Sequence, residues 1–258
     1  MRRTFILCNL AMLLLSLILL MLGCQPQATT DESGIESMLE ALQHNELGIQ
    51  LFKEGQYDEA ITEFNKAIEL DPKLAMAYTN RGSAYHEKGE LDKAIGDFYI
   101  AIELAPELAE AYSNRAYAYH EKGELDKAIA DCDKAIELDP ELVEAYSNRG
   151  RAYLVKHMFD KAIADCSKAI ELNPELAMAY NNRGIAYIKT GETDKAMADF
   201  TKAIELDPQL VLAYANRALT YTLLGMDTEA KQDIEHAVAL GFDRATLEQE
   251  VEQLKQMR

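Results

Sequence analysis

The 258-residue sequence predicts an all-α solenoid of six helix-turn-helix repeats closed by a C-terminal helix. Three observations carry that expectation. Tyrosines recur every 34 residues in two series, Tyr78, Tyr112, Tyr146, Tyr180, Tyr214 and Tyr85, Tyr119, Tyr153, Tyr187, Tyr221. Alanines keep the same period six times, from Ala60 to Ala230 and from Ala67 to Ala237. Pro72, Pro106, Pro140, Pro174 and Pro208 close five of the blocks, and of the six prolines only Pro26 stands outside the series. One such unit cannot bury its apolar face alone; stacked neighbours can, and stacking leaves a concave side.

The chain begins with Met1-Arg2-Arg3, followed by nearly continuous apolar sequence from Phe5 to Leu22 and then Gly23-Cys24. A charged start, an apolar stretch and a small residue before a break mark an export signal over residues 1–23. Gly23-Cys24 resembles the lipobox of bacterial lipoproteins, although Met21 stands where that family prefers leucine. The resemblance implies cleavage before Cys24, acyl chains on its sulfur and amine, and so a lipid anchor. The apolar run is also nearly long enough to span a bilayer uncleaved. In both readings Arg2 and Arg3 stay cytoplasmic, and everything after Cys24 faces outward at a cell membrane or outer membrane. Cys8 reads as apolar filler within the run. Residues 24–35 read as the lipidated cysteine and a flexible tether, rich in polar groups and breakers. Stretched out, that tether reaches no more than about 40 Å.

The repeat domain is expected over 36–242, with blocks 41–74, 75–108, 109–142, 143–176, 177–210 and 211–244. In the second block Leu91, Ala94, Ile95, Phe98, Ala101 and Ile102 share one helical face, and Ala77, Tyr78, Gly82 and Tyr85 give the preceding helix another. Gly82 and Ala94 lack bulk, so their two backbones can approach closely. Asp71, Asp139, Asn173 and Asp207 each precede a proline, an arrangement that caps and starts a helix, whereas Ala105-Pro106 lacks the cap. His157 replaces the glycine of positions 55, 89, 123, 191 and 225, so its turn is expected to avoid the left-handed region or distort. Repeat one has Leu51 for the second tyrosine, and repeat six has Phe242 for proline. Residues 243–258 carry Leu247, Val251 and Leu254 on one stripe and read as a capping helix, with dimerisation as the alternative role.

Small residues, aromatics, alanines and a closing proline at these offsets over 41–244 resemble the tetratricopeptide repeat. The resemblance implies a right-handed superhelix whose first helices face the groove. It puts Asn80, Asn114, Asn148, Asn182 and Asn216 on that face, like an asparagine ladder in the repeat arm of the enzyme that attaches N-acetylglucosamine to proteins. An amide offers donor and acceptor, so such a ladder can hold peptide backbone irrespective of sequence; local hydrogen bonding that stabilises the fold is the competing reading.

The arginine after each asparagine has an aspartate sixteen residues on, Asp97, Asp131, Asp165, Asp199 or Asp233, which predicts partly buried ion pairs between the helices of one repeat. The resemblance also places Thr79, Ser83, His86, Glu87, Glu110, Ser113, His120, Glu121, Glu144, Ser147 and Arg151 along an early polar, acidic groove. Met178, Ile185, Ile188, Leu212, Leu219 and Leu223 would make its end apolar, a contact site unless the capping helix or a second copy covers it. The lysine clamp of chaperone-binding relatives is missing, because Thr79, Ser113, Glu110 and Glu144 occupy its places. His86-Glu87 and His120-Glu121 are too widely spaced for a good metal site, and Cys132 and Cys166 share the core position of Phe64, Phe98 and Phe200, which predicts buried free thiols.

With 44 acidic against 26 basic residues the net charge of −18 disfavours nucleic acid and anionic lipid as partners. No phosphate loop, nucleophile elbow or zinc signature is present, and polar series that follow a repeat period do not converge as catalytic groups must. The expectation is a membrane-tethered, extracytoplasmic scaffold without enzymatic activity, cofactor or metal, binding an extended peptide or helix of a protein partner. A self-assembling envelope protein and a non-catalytic carrier subunit are the alternatives.

Overall fold

The computed structural model describes residues 32–256; the apolar segment and Cys24 lie outside them. Thirteen helices follow one another among the described residues, with no strand. The first pair is α1 (Glu32–Lys53) and α2 (Tyr57–Leu70), and the second α3 (Ala75–Glu87) and α4 (Leu91–Leu104). Then come α5 (Ala109–Glu121) with α6 (Leu125–Leu138), and α7 (Val143–Val155) with α8 (Phe159–Leu172). The last two pairs are α9 (Ala177–Thr190) with α10 (Thr193–Leu206), and α11 (Val211–Leu224) with α12 (Asp227–Ala239). α13 (Arg244–Gln256) ends the array. α1 begins four residues inside the segment read as a tether, so residues 32–35 are helical.

Each odd-numbered helix from α3 to α11 packs on the even helix after it and the even helix before it. Successive odd helices also touch one another, whereas successive even helices do not. The odd helices therefore form the inner wall of a curved stack. Among the described residues no helix is long and apolar enough to cross a membrane.

The core is made of small residues and a single large column. Phe64, Phe98, Cys132, Cys166 and Phe200 occupy the same place on α2, α4, α6, α8 and α10, all essentially without solvent contact. Phe64, Phe98 and Phe200 each face a glycine of the partner helix, Gly48, Gly82 or Gly184. A ring needs the room that a Cβ would take, so glycine and phenylalanine occur together.

The proline joints differ from expectation. Asp71, Asp139, Asn173 and Asp207 do not cap the following helix, which starts four residues later with no side-chain cap. Instead Asp71 Oδ1 accepts from the N–H of Lys73 at 2.9 Å, and Leu74 N–H donates to Asp71 O at 3.1 Å. Proline's fixed φ suits the second place of such a turn, so the motif closes one helix and aims the next. Leu108 makes the same backbone bond to Ala105 without the side-chain bond.

His157 also departs from expectation: it enters the left-handed region at φ 57° and keeps the turn intact. Its N–H donates to Leu154 O and that of Met158 to Tyr153 O, as those of Gly123 and Glu124 do one period earlier to His120 and Tyr119. Histidine tolerates this conformation better than most side chains.

At the far end Asp243 Oδ2 accepts from Thr246 N–H at 2.7 Å, which caps α13. Leu247 and Val251 then bury themselves against Ala215, Ala218, Ile234 and Ala237, with Phe242 alongside.

Candidate functional site

The inner wall is held by a repeated junction. Arg81 donates from Nε and Nη2 to both oxygens of Asp97 at 2.7 Å, and from Nη1 to Asn65 on the preceding outer helix. Arg115, Arg149, Arg183 and Arg217 grip Asp131, Asp165, Asp199 and Asp233 in the same bidentate way. Tyr78 and Tyr85 place their rings 5.5 and 6.0 Å from the Arg81 guanidinium, and every later arginine has the same two tyrosines. Both tyrosine series thus sheathe the ion pairs, a role the apolar pattern alone did not reveal. The hydrogen bonds to Asp97 raise the Arg81 guanidinium above the ordinary arginine value, against the opposing effect of burial. These arginines are structural and not available to a ligand.

The asparagines sit on the inner helices, and four of the five spend their N–H groups on the preceding inner helix. Asn80 donates to Asn45 Oδ1 at 3.0 Å and Asn216 to Asn181 Oδ1 at 2.9 Å. Asn148 donates to Ser113 O and Oγ at 3.2 Å, and Asn114 reaches Ser83 Oγ at 3.5 Å. Asn182 differs: its Oδ1 accepts from Asn181, while its own Nδ2 is buried without a partner. Thr79 and Ser113, expected along the groove surface, are buried between helices.

Two hollows mark the wall. Near its start Phe52, Ser83, His86, Glu87, Asn114 and Tyr117 surround one of about 210 Å³. His86 Nε2 lies 2.9 Å from Glu121 Oε2, and its ring stands 4.7 Å from that of Tyr117. Among the described residues no three His, Cys, Asp or Glu side chains group as metal ligands. Near the far end Ile185, Ile188, Leu219, Leu223 and Leu254 line an apolar cavity of about 280 Å³, rimmed by Lys189, Asn216 and Glu250. The capping helix therefore forms one side of the apolar end and leaves it open. Ile185 and Leu219 meet there, whereas Arg151 lies further back, its guanidinium 5.1 Å from the Tyr117 ring centre.

Cys132 and Cys166 are buried free thiols, one repeat apart, and burial pushes both well above the usual thiol range. They belong to the core and not to the groove.

The geometry agrees with comparisons to known proteins. No curated protein is similar enough to be matched to the chain. Among solved structures, the Cut9-Hcn1 hetero-tetramer of the APC/C superposes with a TM-score of 0.78 at 19% identity, over 83% of this chain and 42% of that one. This chain thus spans less than half of that relative. PilF of Pseudomonas aeruginosa gives 0.72 at 16% identity over 86% of this chain and 100% of its own. YrrB, described as a TPR protein with an unusual peptide-binding site, gives 0.54 at 24% identity over 71% and 95%. At these identities the likeness shows the fold alone. Sequence profiles described as TPR repeat match residues 48–89 and 82–123, and profiles described as tetratricopeptide repeat match 109–142, 143–176, 177–210 and 211–240. With stacked pairs, buried ion-pair junctions and profile matches agreeing along most of its length, the chain belongs to the tetratricopeptide-repeat family.

Proposed function

We propose that the protein is a non-enzymatic interaction scaffold, held at the outer face of a membrane through Cys24, whose concave wall grips an extended segment or helix of a partner protein. The observation that carries this reading is the apolar cavity between Ile185, Ile188, Leu219, Leu223 and α13, open to solvent and large enough for a bulky side chain. A hollow of this kind, flanked by polar groups, is the usual form of an anchor site. Among the described residues the Oδ1 atoms of Asn80, Asn114, Asn148 and Asn216 accept no hydrogen bond, and they suit the N–H groups of a passing backbone. The likeness to YrrB adds a precedent for peptide binding on this fold.

A photo-crosslinking side chain at Leu223, exposed at the cavity, is expected to give a discrete adduct in intact envelopes. The same probe at Tyr99, exposed on outer helix α4, is expected to give none. Equal adducts from both positions, or none from either, would remove the groove reading. Incorporation of radioactive palmitate is expected to vanish in Cys24→Ala; labelling that persists would place the anchor elsewhere.

The alternative of self-assembly draws on one observation, the exposed stripe of Ile35, Met38, Leu39 and Leu42 along α1. Sedimentation that shows a monomer at every concentration would dispose of it.

A further inference from the structure

The inner wall has a second geometry besides its 34-residue columns. Besides the hydrogen bonds at an offset of 35 residues, two contacts between neighbouring inner helices stand at an offset of 31: Asn114 on Ser83 and Tyr117 on His86. Phe52, Ser83 and Asn114 line one hollow, and Ile188, Leu219 and Glu250 the other, each trio stepping by 31. In the diagonal from His86 through Tyr117 to Asn148 the two rings pack together and Asn148 bonds Ser113, while His86 Nε2, without a hydrogen-bond partner among the described residues, stands 2.9 Å from the Glu121 carboxylate.

The diagonal of His120, Arg151 and Asn182 is not satisfied. Among the described residues both ring nitrogens of His120 and the Nδ2 of Asn182 are buried without a hydrogen-bond partner. Asn182 is only 5% exposed, and an amide N–H in that position carries the full cost of its lost hydration. Arg151 cannot relieve it, because a guanidinium only donates. Nor does Arg151 meet an acid among the described residues: it rests on Tyr117, while the five junction arginines are all paired. Burial and the nearby Arg151 charge lower the His120 pKa, with Glu121 opposing them, which keeps the ring neutral.

Building on the groove reading, we propose that His120, Arg151 and Asn182 form a receptor for one carboxylate of the bound segment. Arg151 supplies the charge, Asn182 Nδ2 an N–H, and His120 a further N–H. A single cation in a chain of net charge −18 suits one carboxylate and repels an acidic tract or a phosphate dianion. The next diagonal, Leu154, Ile185 and Asn216, leads into the apolar cavity one repeat on. Packed helices stand about 8–10 Å apart, which extended chain covers in about three residues at roughly 3.3 Å each. The preferred segment therefore carries an acid about three residues from a large apolar side chain.

Acetate titrated into the full chain in mild detergent, with the ring signals of its five histidines followed by NMR, tests the receptor directly. Acetate is expected to shift the His120 signal saturably and raise its pKa, since a bound anion favours the protonated ring. Chloride at equal ionic strength is expected to do neither. Arg151→Gln is expected to abolish the response and Arg151→Lys to retain part of it, both with an unchanged melting temperature. An acetate response equal to that of chloride, or one that survives Arg151→Gln, overturns the proposal.

Blocked octapeptides then identify the source of the carboxylate. Acetyl-Ser-Gly-Glu-Ala-Ala-Leu-Gly-Ser-amide is expected to bind about ten-fold more tightly than its Gln counterpart. Equal binding of the two overturns the side-chain assignment, and tighter binding of an acid-free peptide with a free C-terminus transfers the site to a chain end. If neither peptide binds while the acetate response persists, the receptor stands and the peptide groove falls.

Discussion

Gly82 lies against Phe98, and a Cβ built there would stand 2.7 Å from Cε1 of the ring, inside any contact distance. The ring is buried on all sides and cannot move aside without shifting a helix. Gly82→Ala is therefore expected to destabilise the protein by about 1–3 kcal/mol. Gly150 holds the same place in repeat four but faces Cys166, whose Sγ would lie 2.9 Å from the new Cβ. The chain already packs Ala116 with Cys132 in repeat three, so that pairing has a precedent. Gly150→Ala is expected to be neutral or stabilising by up to about 1 kcal/mol, from helix propensity. Urea midpoints of the two variants check this; equal losses would mean that ring crowding is not what fixes glycine here. The column of small residues was legible in the sequence as a close approach. Its coupling to what stands opposite was not, since Gly82 was paired with the small Ala94 of the next helix and not with Phe98, one turn further on.

At the scale of the helix pair, the period told where helices lie and which face they bury, but not how the joints work. An Asp or Asn before proline serves equally as a helix cap or as the closing side chain of a turn, because both need an oxygen two or three residues before an N–H. Only the start of α3 at Ala75 and the bond from Lys73 to Asp71 separate the two. The arginine–aspartate spacing, in contrast, translated directly into geometry. Asp131 and Arg115 are both largely buried, so removing one leaves the other as an uncompensated charge. Asp131→Ala is expected to cost about 3–5 kcal/mol, and the joint replacement Arg115→Met with Asp131→Leu markedly less. Thermal melts of the three proteins decide it; a double variant as unstable as Asp131→Ala would show that bidentate bonding, and not burial of a lone charge, dominates.

Across the whole molecule the two ends of the stack are unequal, and that asymmetry governs how it opens. A solenoid is held by each repeat and its neighbours, so an end unit has lost one interface. At the N-terminal end α1 leaves Ile35, Met38, Leu39 and Leu42 in solvent among the described residues, whereas α13 covers Ile234, Ala215 and Ala218 at the other. Beside the 35-residue hydrogen bonds of Asn80, Asn148 and Asn216 the groove carries a 31-residue diagonal, which an alignment in 34-residue columns hides; this is why the unsatisfied trio of His120, Arg151 and Asn182 was not visible as a unit in the sequence. The same nearest-neighbour logic yields a prediction about opening. Amide exchange is expected to be fastest in α1, slowest in α5 to α8, and slower in α11 and α12 than in α1. Ending the chain after Phe242 strips Leu247 and Val251 from that core. The truncated protein is expected to lose protection in α11 and α12 first and to self-associate through the uncovered face, with α5 to α8 unaffected. Uniform loss of protection along the whole array would show instead that the stack unfolds as one cooperative body, and that α13 acts on all six repeats and not on the last.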